Sequence, residues 1–310
     1  MKNYIILGTA ILGLLATNAC KKDDPTTSKY SLSGLSVNTT APYVALGSEF
    51  EFNADVRYLA AGDGGTPTVG IYWQVNSAKK DTLTKNVAKS NPAFTYKVDT
   101  LGTYNVYCYA FDIEGNYYNT SAAASFVAVD PDKVLTDIAE AEEITVGGKT
   151  WMARNLNNQD AGLSFRESTV MDAPLGRLYN WTEAQSACPA GWHLPTLEDY
   201  KASFGDPESG VIPSADLMAD ASFLGKKIWE YFPEVQITNK YGFNAISLGY
   251  IDTVDSFNAY NKYGEYACYW TAGEKDGMGQ YLYIYAAQPA AYTGVGDKET
   301  LYMSVRCVKD

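Results

Sequence analysis

Asn180-Trp181-Thr182-Glu183-Ala184-Gln185-Ser186-Ala187-Cys188-Pro189-Ala190-Gly191-Trp192-His193-Leu194-Pro195-Thr196-Leu197-Glu198-Asp199 is the stretch whose reading decides the fold. Asn180 and Glu183 have the spacing of a capping box, in which each side chain satisfies the other's backbone N–H, and predict a helix through about Ala187. Thr196 and Asp199 repeat the pattern and predict a second helix through about Phe204, stopped by Gly205. Upstream, Thr145-Val146-Gly147-Gly148-Lys149-Thr150-Trp151 reads as a hairpin, because two glycines supply the positive φ that a two-residue turn requires. From Ile138 onward the chain therefore mixes helices with strands, and Asp130-Pro131-Asp132 marks a boundary before it.

Further motifs flank this stretch. They are Thr150-Trp151-Met152-Ala153-Arg154-Asn155-Leu156, Gly176-Arg177-Leu178-Tyr179-Asn180-Trp181, Gly225-Lys226-Lys227, Tyr241-Gly242-Phe243-Asn244-Ala245, Tyr269-Trp270 and Ser304-Val305-Arg306-Cys307-Val308-Lys309. In order and spacing the set closely resembles the FISUMP domain, the Fibrobacter succinogenes major paralogous domain, across residues 138–310. The resemblance implies a C-type-lectin-like fold of the α+β class. It also implies a Cys188–Cys307 disulfide, since both cysteines fall in motifs where the family carries its pair, and an exported protein meets an oxidising compartment. Cys268 is then a buried thiol or a competitor for Cys307.

Residues 30–130 read differently. Phe50, Phe52, Ala54 and Val56 alternate with polar residues, as do Ile71, Trp73 and Val75, then Phe94, Tyr96 and Val98, then Tyr104, Val106, Cys108 and Ala110. Period-2 runs separated by turn residues predict strands with one face in a core, and so an all-β immunoglobulin-like sandwich with Trp73 at its centre. Leu101-Gly102-Thr103-Tyr104-Asn105-Val106 leading to Asp112-Ile113-Glu114-Gly115-Asn116 resembles the late strands and turn of polycystic-kidney-disease-type domains. Asp112, Glu114 and Asn116 could ligate calcium, but an Asx-type turn around Gly115 explains them more simply. Cys108 reads as a buried free thiol, and Tyr107, Tyr109 and Phe111 form the opposite face of its strand.

The N-terminus reads as an address. Lys2, the apolar run Tyr4 to Leu15 and the small residues Ala16-Thr17-Asn18-Ala19 before Cys20 form a signal peptide over residues 1–19, too short to span a bilayer. The run ending at Cys20 resembles the relaxed lipobox of Bacteroidota lipoproteins, which implies acylation of Cys20 and a linker over residues 20–29. Lys21-Lys22-Asp23-Asp24 looks like the signal that sends such lipoproteins to the outer face of the outer membrane. The membrane contact expected is the lipid anchor alone.

The composition excludes several functions. The 310 residues are 46% hydrophobic and 19% charged, as in globular domains, and 24 basic against 36 acidic side chains give a formal charge of −12. That balance offers little to a phosphate backbone, so nucleic acid is excluded as a partner. His193 is the only histidine, and no nucleophile elbow accompanies it, so no catalytic residue is predicted. Sugar-binding C-type lectins hold calcium through Glu-Pro-Asn or Gln-Pro-Asp and a later Trp-Asn-Asp; Gln288-Pro289-Ala290 lacks the acid and no Trp-Asn-Asp follows. Neither metal nor cofactor is expected.

What remains is a surface. Residues 249–263 are a tyrosine-rich polar insertion in the position of the variable ligand loops of lectin-like folds. Tyr250, Asp252, Asp255, Tyr260, Tyr263 and Trp270 are its candidate ligand-binding residues, unless the tyrosines instead cover an aromatic core. Tyr281, Tyr283 and Tyr285 alternate with Leu282 and Ile284, which predicts a tyrosine ladder on one face of a strand. The function expected is non-catalytic binding of an extracellular glycan or protein, as in adhesion. The alternatives are a tip or accessory subunit of a surface appendage and, third, a glycan-active enzyme.

Overall fold

The computed structural model describes residues 30–60, 70–77, 80–87, 93–111, 117–254 and 260–310. The expected leader, Cys20, the Asp112–Asn116 turn and Asp255 lie outside the described residues. Among the described residues strand outweighs helix.

In the first half, five strands form one sheet in the order Tyr43–Ala45, Tyr117–Val129, Gly102–Phe111, Gly70–Ser77 and Lys80–Val87. Two antiparallel ribbons accompany it, Tyr30–Val37 with Ala54–Ala60 and Glu49–Phe52 with Phe94–Lys97. Their apolar residues meet in one cluster that includes Phe52, Trp73, Tyr104, Val106, Cys108 and Phe126, all buried, as the alternation predicts. Aromatic rings fill it: Tyr104 stacks on Phe126 at 5.0 Å and Trp73 on Phe94 at 5.6 Å. The run from Phe50 to Val56 differs from its reading as one strand. The chain changes ribbon at Asn53, whose N–H donates to the Asn38 side chain at 2.7 Å, so a single alternation serves two strands with different partners.

The stretch between the halves is itself built into the structure. Leu135–Thr136 pairs with Ser222–Phe223, and Val134 and Leu135 enter the large core of the second half. Val129 belongs to the same cluster, with Val127 and Tyr43 packed against it. The Tyr43 ring meets Phe223 edge-on at 6.3 Å, and the Tyr43 N–H donates to the Ser168 hydroxyl at 3.1 Å. The first half therefore rests on the second through an apolar seam.

The second half follows its capping signals. The helix Trp181–Ala187 starts at Asn180 and Leu197–Ser203 at Thr196, each with both bonds of the capping box. Glu143–Val146 and Lys149–Met152 form the hairpin around Gly147 and Gly148, both at positive φ. This hairpin joins Val308–Lys309 and Trp192–His193 in a four-stranded sheet, which brings the ends of the domain together. Cys188 and Cys307 are bonded there, with Cα atoms 5.9 Å apart. The 119 residues between them are closed into a loop, which stabilises the fold by about 4 to 5 kcal/mol in the chain-entropy treatment. Cys268 and Cys108 are buried free thiols, and burial pushes each up to about 12.

Candidate functional site

Several motif residues lie deep in the second half. Arg306 is 1% exposed and has no carboxylate partner among the described residues. Its Nε donates to Asn155 Oδ1 at 3.0 Å, and its terminal nitrogens donate to the carbonyls of Met152, Phe243 and Asn244. Its guanidinium lies over the rings of Phe243 (4.6 Å) and Tyr269 (5.5 Å). Asn155, Phe243, Asn244, Tyr269 and Arg306 come from four separated motifs, so one buried cation ties those motifs together. Arg177 does the same for another segment: it pairs with buried Asp172 at 2.6 Å and donates to the carbonyls of Ala161 and Gly162. The Tyr179 hydroxyl bridges the Asn158 N–H and the Leu156 carbonyl, and burial pushes its phenol up to about 12.

His193 belongs to a polar clasp. Its Nδ1 lies 2.7 Å from Asp310 and its Nε2 lies 3.3 Å from Asp199. Burial alone would raise the Asp199 carboxyl. The Lys149 ammonium at 2.8 Å, the Thr196 N–H and hydroxyl, and His193 outweigh burial and hold it at about 2. These contacts close the N-terminal turn of a helix onto the hairpin.

The accessible aromatic surface is on the three-stranded sheet Tyr266–Lys275, Met278–Tyr285 and Tyr292–Gly296. Antiparallel pairing sets Tyr266 opposite Tyr285, Cys268 opposite Tyr283 and Trp270 opposite Tyr281, with Tyr292 beside Tyr283 on the other flank. Residues directly opposite share a face, so the tyrosines converge. Leu282, Ile284 and Ala286 point the other way into the core. Tyr266 stacks on Tyr285 at 4.5 Å and meets Tyr283 at 5.9 Å, and Tyr283 meets Tyr281 and Tyr292, each at 6.1 Å. All five are partly buried, and Tyr266, Tyr281 and Tyr283 also pack against the core cluster that holds Cys268 and Trp270. Burial, with Cys268 and neighbouring phenols, pushes Tyr281 up to about 12; Tyr266 is raised by burial and by Tyr285. The face offers ring surfaces and hydroxyls that both donate and accept.

The predicted candidates divide between this face and the core. In the strand Tyr250–Asp252, Ile251 is buried while Tyr250 and Asp252 point the other way, half-exposed. Tyr250 packs against the core cluster that holds Cys268 and Trp270, and burial, with Cys268 and Asp252 adding to it, raises its phenol. Asp252 Oδ1 accepts from the Val254 N–H at 3.0 Å in a local turn. Tyr260 pairs with Ile251 and so faces inward: its ring meets Phe165 at 5.7 Å, and its hydroxyl accepts from the Glu167 N–H at 3.1 Å. Tyr263 packs on Phe165 (5.5 Å) and Phe223 (6.0 Å), and burial pushes its phenol well up. Trp270, expected as a ligand-binding residue, is 0% exposed, and its indole N–H donates to the Tyr179 carbonyl at 2.8 Å. A ring in that position has no surface left for a ligand, so Trp270 is a core residue. The insertion thus contributes Tyr250 and Asp252 to the aromatic face and lends Tyr260 and Tyr263 to the core.

Tyr266 and Tyr292 were not singled out from the sequence. Tyr266 could have been, because it alternates with Cys268 and Trp270; Tyr292 follows Ala290-Ala291 and carries no periodic signal. Among the described residues no group of three or more His, Cys, Asp or Glu side chains could hold a metal ion. No helix among them is long and apolar enough to cross a membrane.

The motif order that Arg306 draws together has a counterpart among known families. The sequence model of the Fibrobacter succinogenes major domain matches residues 144–309. The chain belongs to this family. The Fibrobacter succinogenes major domain thus spans the capped helices, the disulfide and the tyrosine sheet together. No curated protein matches the chain. Among solved structures it is similar to the Yersinia pseudotuberculosis adhesin InvE, with 13% identity over 90% of this chain and 70% of that one. The TM-score of 0.27 is too low for that similarity to support an argument about fold or role.

Proposed function

We propose that this protein is a non-catalytic binding protein, displayed outside the cell, that captures an extracellular glycan through the tyrosine face. The observation that carries the reading is the continuous cluster of Tyr266, Tyr281, Tyr283, Tyr285 and Tyr292, partly exposed and set on one sheet. Stacked rings with hydroxyls at their rims suit sugar rings, which present an apolar face and a polar edge, and tyrosines lose little entropy on binding. Under this reading Cys20 carries the lipid anchor on the outer membrane, the immunoglobulin-like half is the spacer, and the C-type-lectin-like half faces outward. The motif residues support the non-catalytic part, since Arg306, Arg177 and His193 are each engaged in holding the fold.

A glycan array probed with the intact, detergent-extracted protein tests the proposal, with Tyr283→Ala and Tyr285→Ala as controls. Retention of a defined glycan that both substitutions abolish, with chelator present, is the expected result. No glycan retained, together with a stoichiometric protein copurified from the envelope, would replace the reading with an appendage-subunit role.

A further inference from the structure

We infer that a second binding site, for a carboxylate-bearing saccharide of the hexuronate type, lies in the cleft between the connector and the Fibrobacter succinogenes major domain, with Arg154 as its anchor. The cleft has a volume of about 550 Å³, within the range of small-ligand sites. Its walls include Asp132 and Glu142 from the connector side, Met152, Arg154 and Asn157 from the hairpin exit, and Trp192.

Arg154 differs from the other arginines of this domain whose bonds are described above. Arg306 and Arg177 use their nitrogens on carbonyls, side-chain oxygens or a carboxylate, whereas Arg154 makes no hydrogen bond and no ion pair among the described residues. It is nonetheless half-buried, and burial lowers its pKa against the pull of Glu142 and Glu140. A partly desolvated guanidinium with its donors unfilled gains most from a planar, bidentate anion, and a carboxylate has that geometry. The floor beneath it is rigid, because the neighbouring Asn155 is fixed by Arg306, by the Leu175 carbonyl and by Ser304.

The rest of the cleft selects among carboxylates. Trp192 lines the cleft, with the Lys309 ammonium over its ring at 5.2 Å, and Lys309 is itself paired with Glu143. An indole wall accommodates the apolar face of a sugar ring. The Glu142 and Asp132 carboxylates are acceptors for the ligand's hydroxyl groups. One carboxylate per ring, several hydroxyls and an apolar face describe a hexuronate better than an acidic peptide.

The test is titration of the intact, detergent-extracted protein with oligogalacturonate, followed by calorimetry at low salt. The comparison ligands are the methyl-esterified oligomer and poly-glutamate. Oligogalacturonate is expected to bind, Arg154→Ala to weaken it at least 10-fold, and the ester to lose binding similarly. Tyr283→Ala should leave this binding unchanged, which separates the site from the tyrosine face. Arg154→Ala should also melt within a degree or two of the parent, since no intramolecular bond is lost. The proposal is overturned if oligogalacturonate fails to bind, if Arg154→Ala binds it equally well, if the ester or poly-glutamate binds as tightly, or if Arg154→Ala unfolds.

Discussion

Replacing Arg306 with methionine tests whether one buried cation organises the domain. The substitution keeps an unbranched apolar stem and removes the guanidinium from a site that is 1% exposed. It strands four acceptors: Asn155 Oδ1 and the carbonyls of Met152, Phe243 and Asn244. A buried acceptor left unpaired costs about 1 to 3 kcal/mol, and the contacts over Phe243 and Tyr269 are lost as well. Relief of the arginine's own desolvation offsets part of that sum, leaving a net loss of about 3 to 5 kcal/mol. Arg306→Lys keeps the charge but reaches fewer acceptors, and should lose about 2 kcal/mol. Urea unfolding of residues 30–310, followed by tryptophan fluorescence, gives both numbers. A methionine variant as stable as the parent within about 1 kcal/mol would refute the reasoning, because it would mean that desolvating the cation cancels all its bonds.

Four further outcomes follow from the geometry. The Asp199 carboxyl is held at about 2 in the folded chain, below its usual 3.8, so its contribution of about 2 kcal/mol is fully present above pH 4 and disappears as pH falls toward 2; Asp199→Asn should flatten the acid limb of a stability-against-pH curve. Converting both Cys188 and Cys307 to serine should lower stability by about 4 to 5 kcal/mol, read as a lower denaturant midpoint that reductant no longer changes. Gly249 sits at φ +68°, where an added Cβ would overlap the Asn261 carbonyl, so Gly249→Ala should cost about 2 kcal/mol or more in thermal unfolding. Tyr43→Ala should loosen the seam between the halves, with faster amide exchange at residues 168–170 and a loss of about 1 to 2 kcal/mol.

Local chemistry was the legible part of this fold. Both capping boxes, the glycine hairpin and the alternation around Trp73 depend on residues close in sequence, and the structure places them as their spacing dictates. The motif order carried the disulfide by family resemblance, and the bond is present. Partner choice between distant strands was not legible. The alternation from Phe50 to Val56 says nothing of the change of ribbon at Asn53, because a period of two is the same for either partner. The insertion shows the same limit: Tyr250 and Tyr260 are alike in composition, and only their register beside Ile251 sends one outward and the other onto Phe165. The motif that holds Arg154 does not mark it out, since what distinguishes it is that its guanidinium has no hydrogen-bond partner among the described residues.

The closed loop from Cys188 to Cys307 has a mechanical consequence. The tyrosine strands, residues 266–296, lie entirely inside it. If the protein is held at its N-terminus and loaded through a ligand on those strands, tension that reaches Cys188 passes through the sulfur–sulfur bond to Cys307 and back along the short arm to the strands, in parallel with the long arm from Cys188. The slack is then set by the short arm, roughly 80 Å of chain from Cys307 to Tyr283, and the long arm stays unstretched. Under shear the binding face would keep its shape after the sandwich had begun to yield, so that the first half acts as the part that gives and the second as the part that grips.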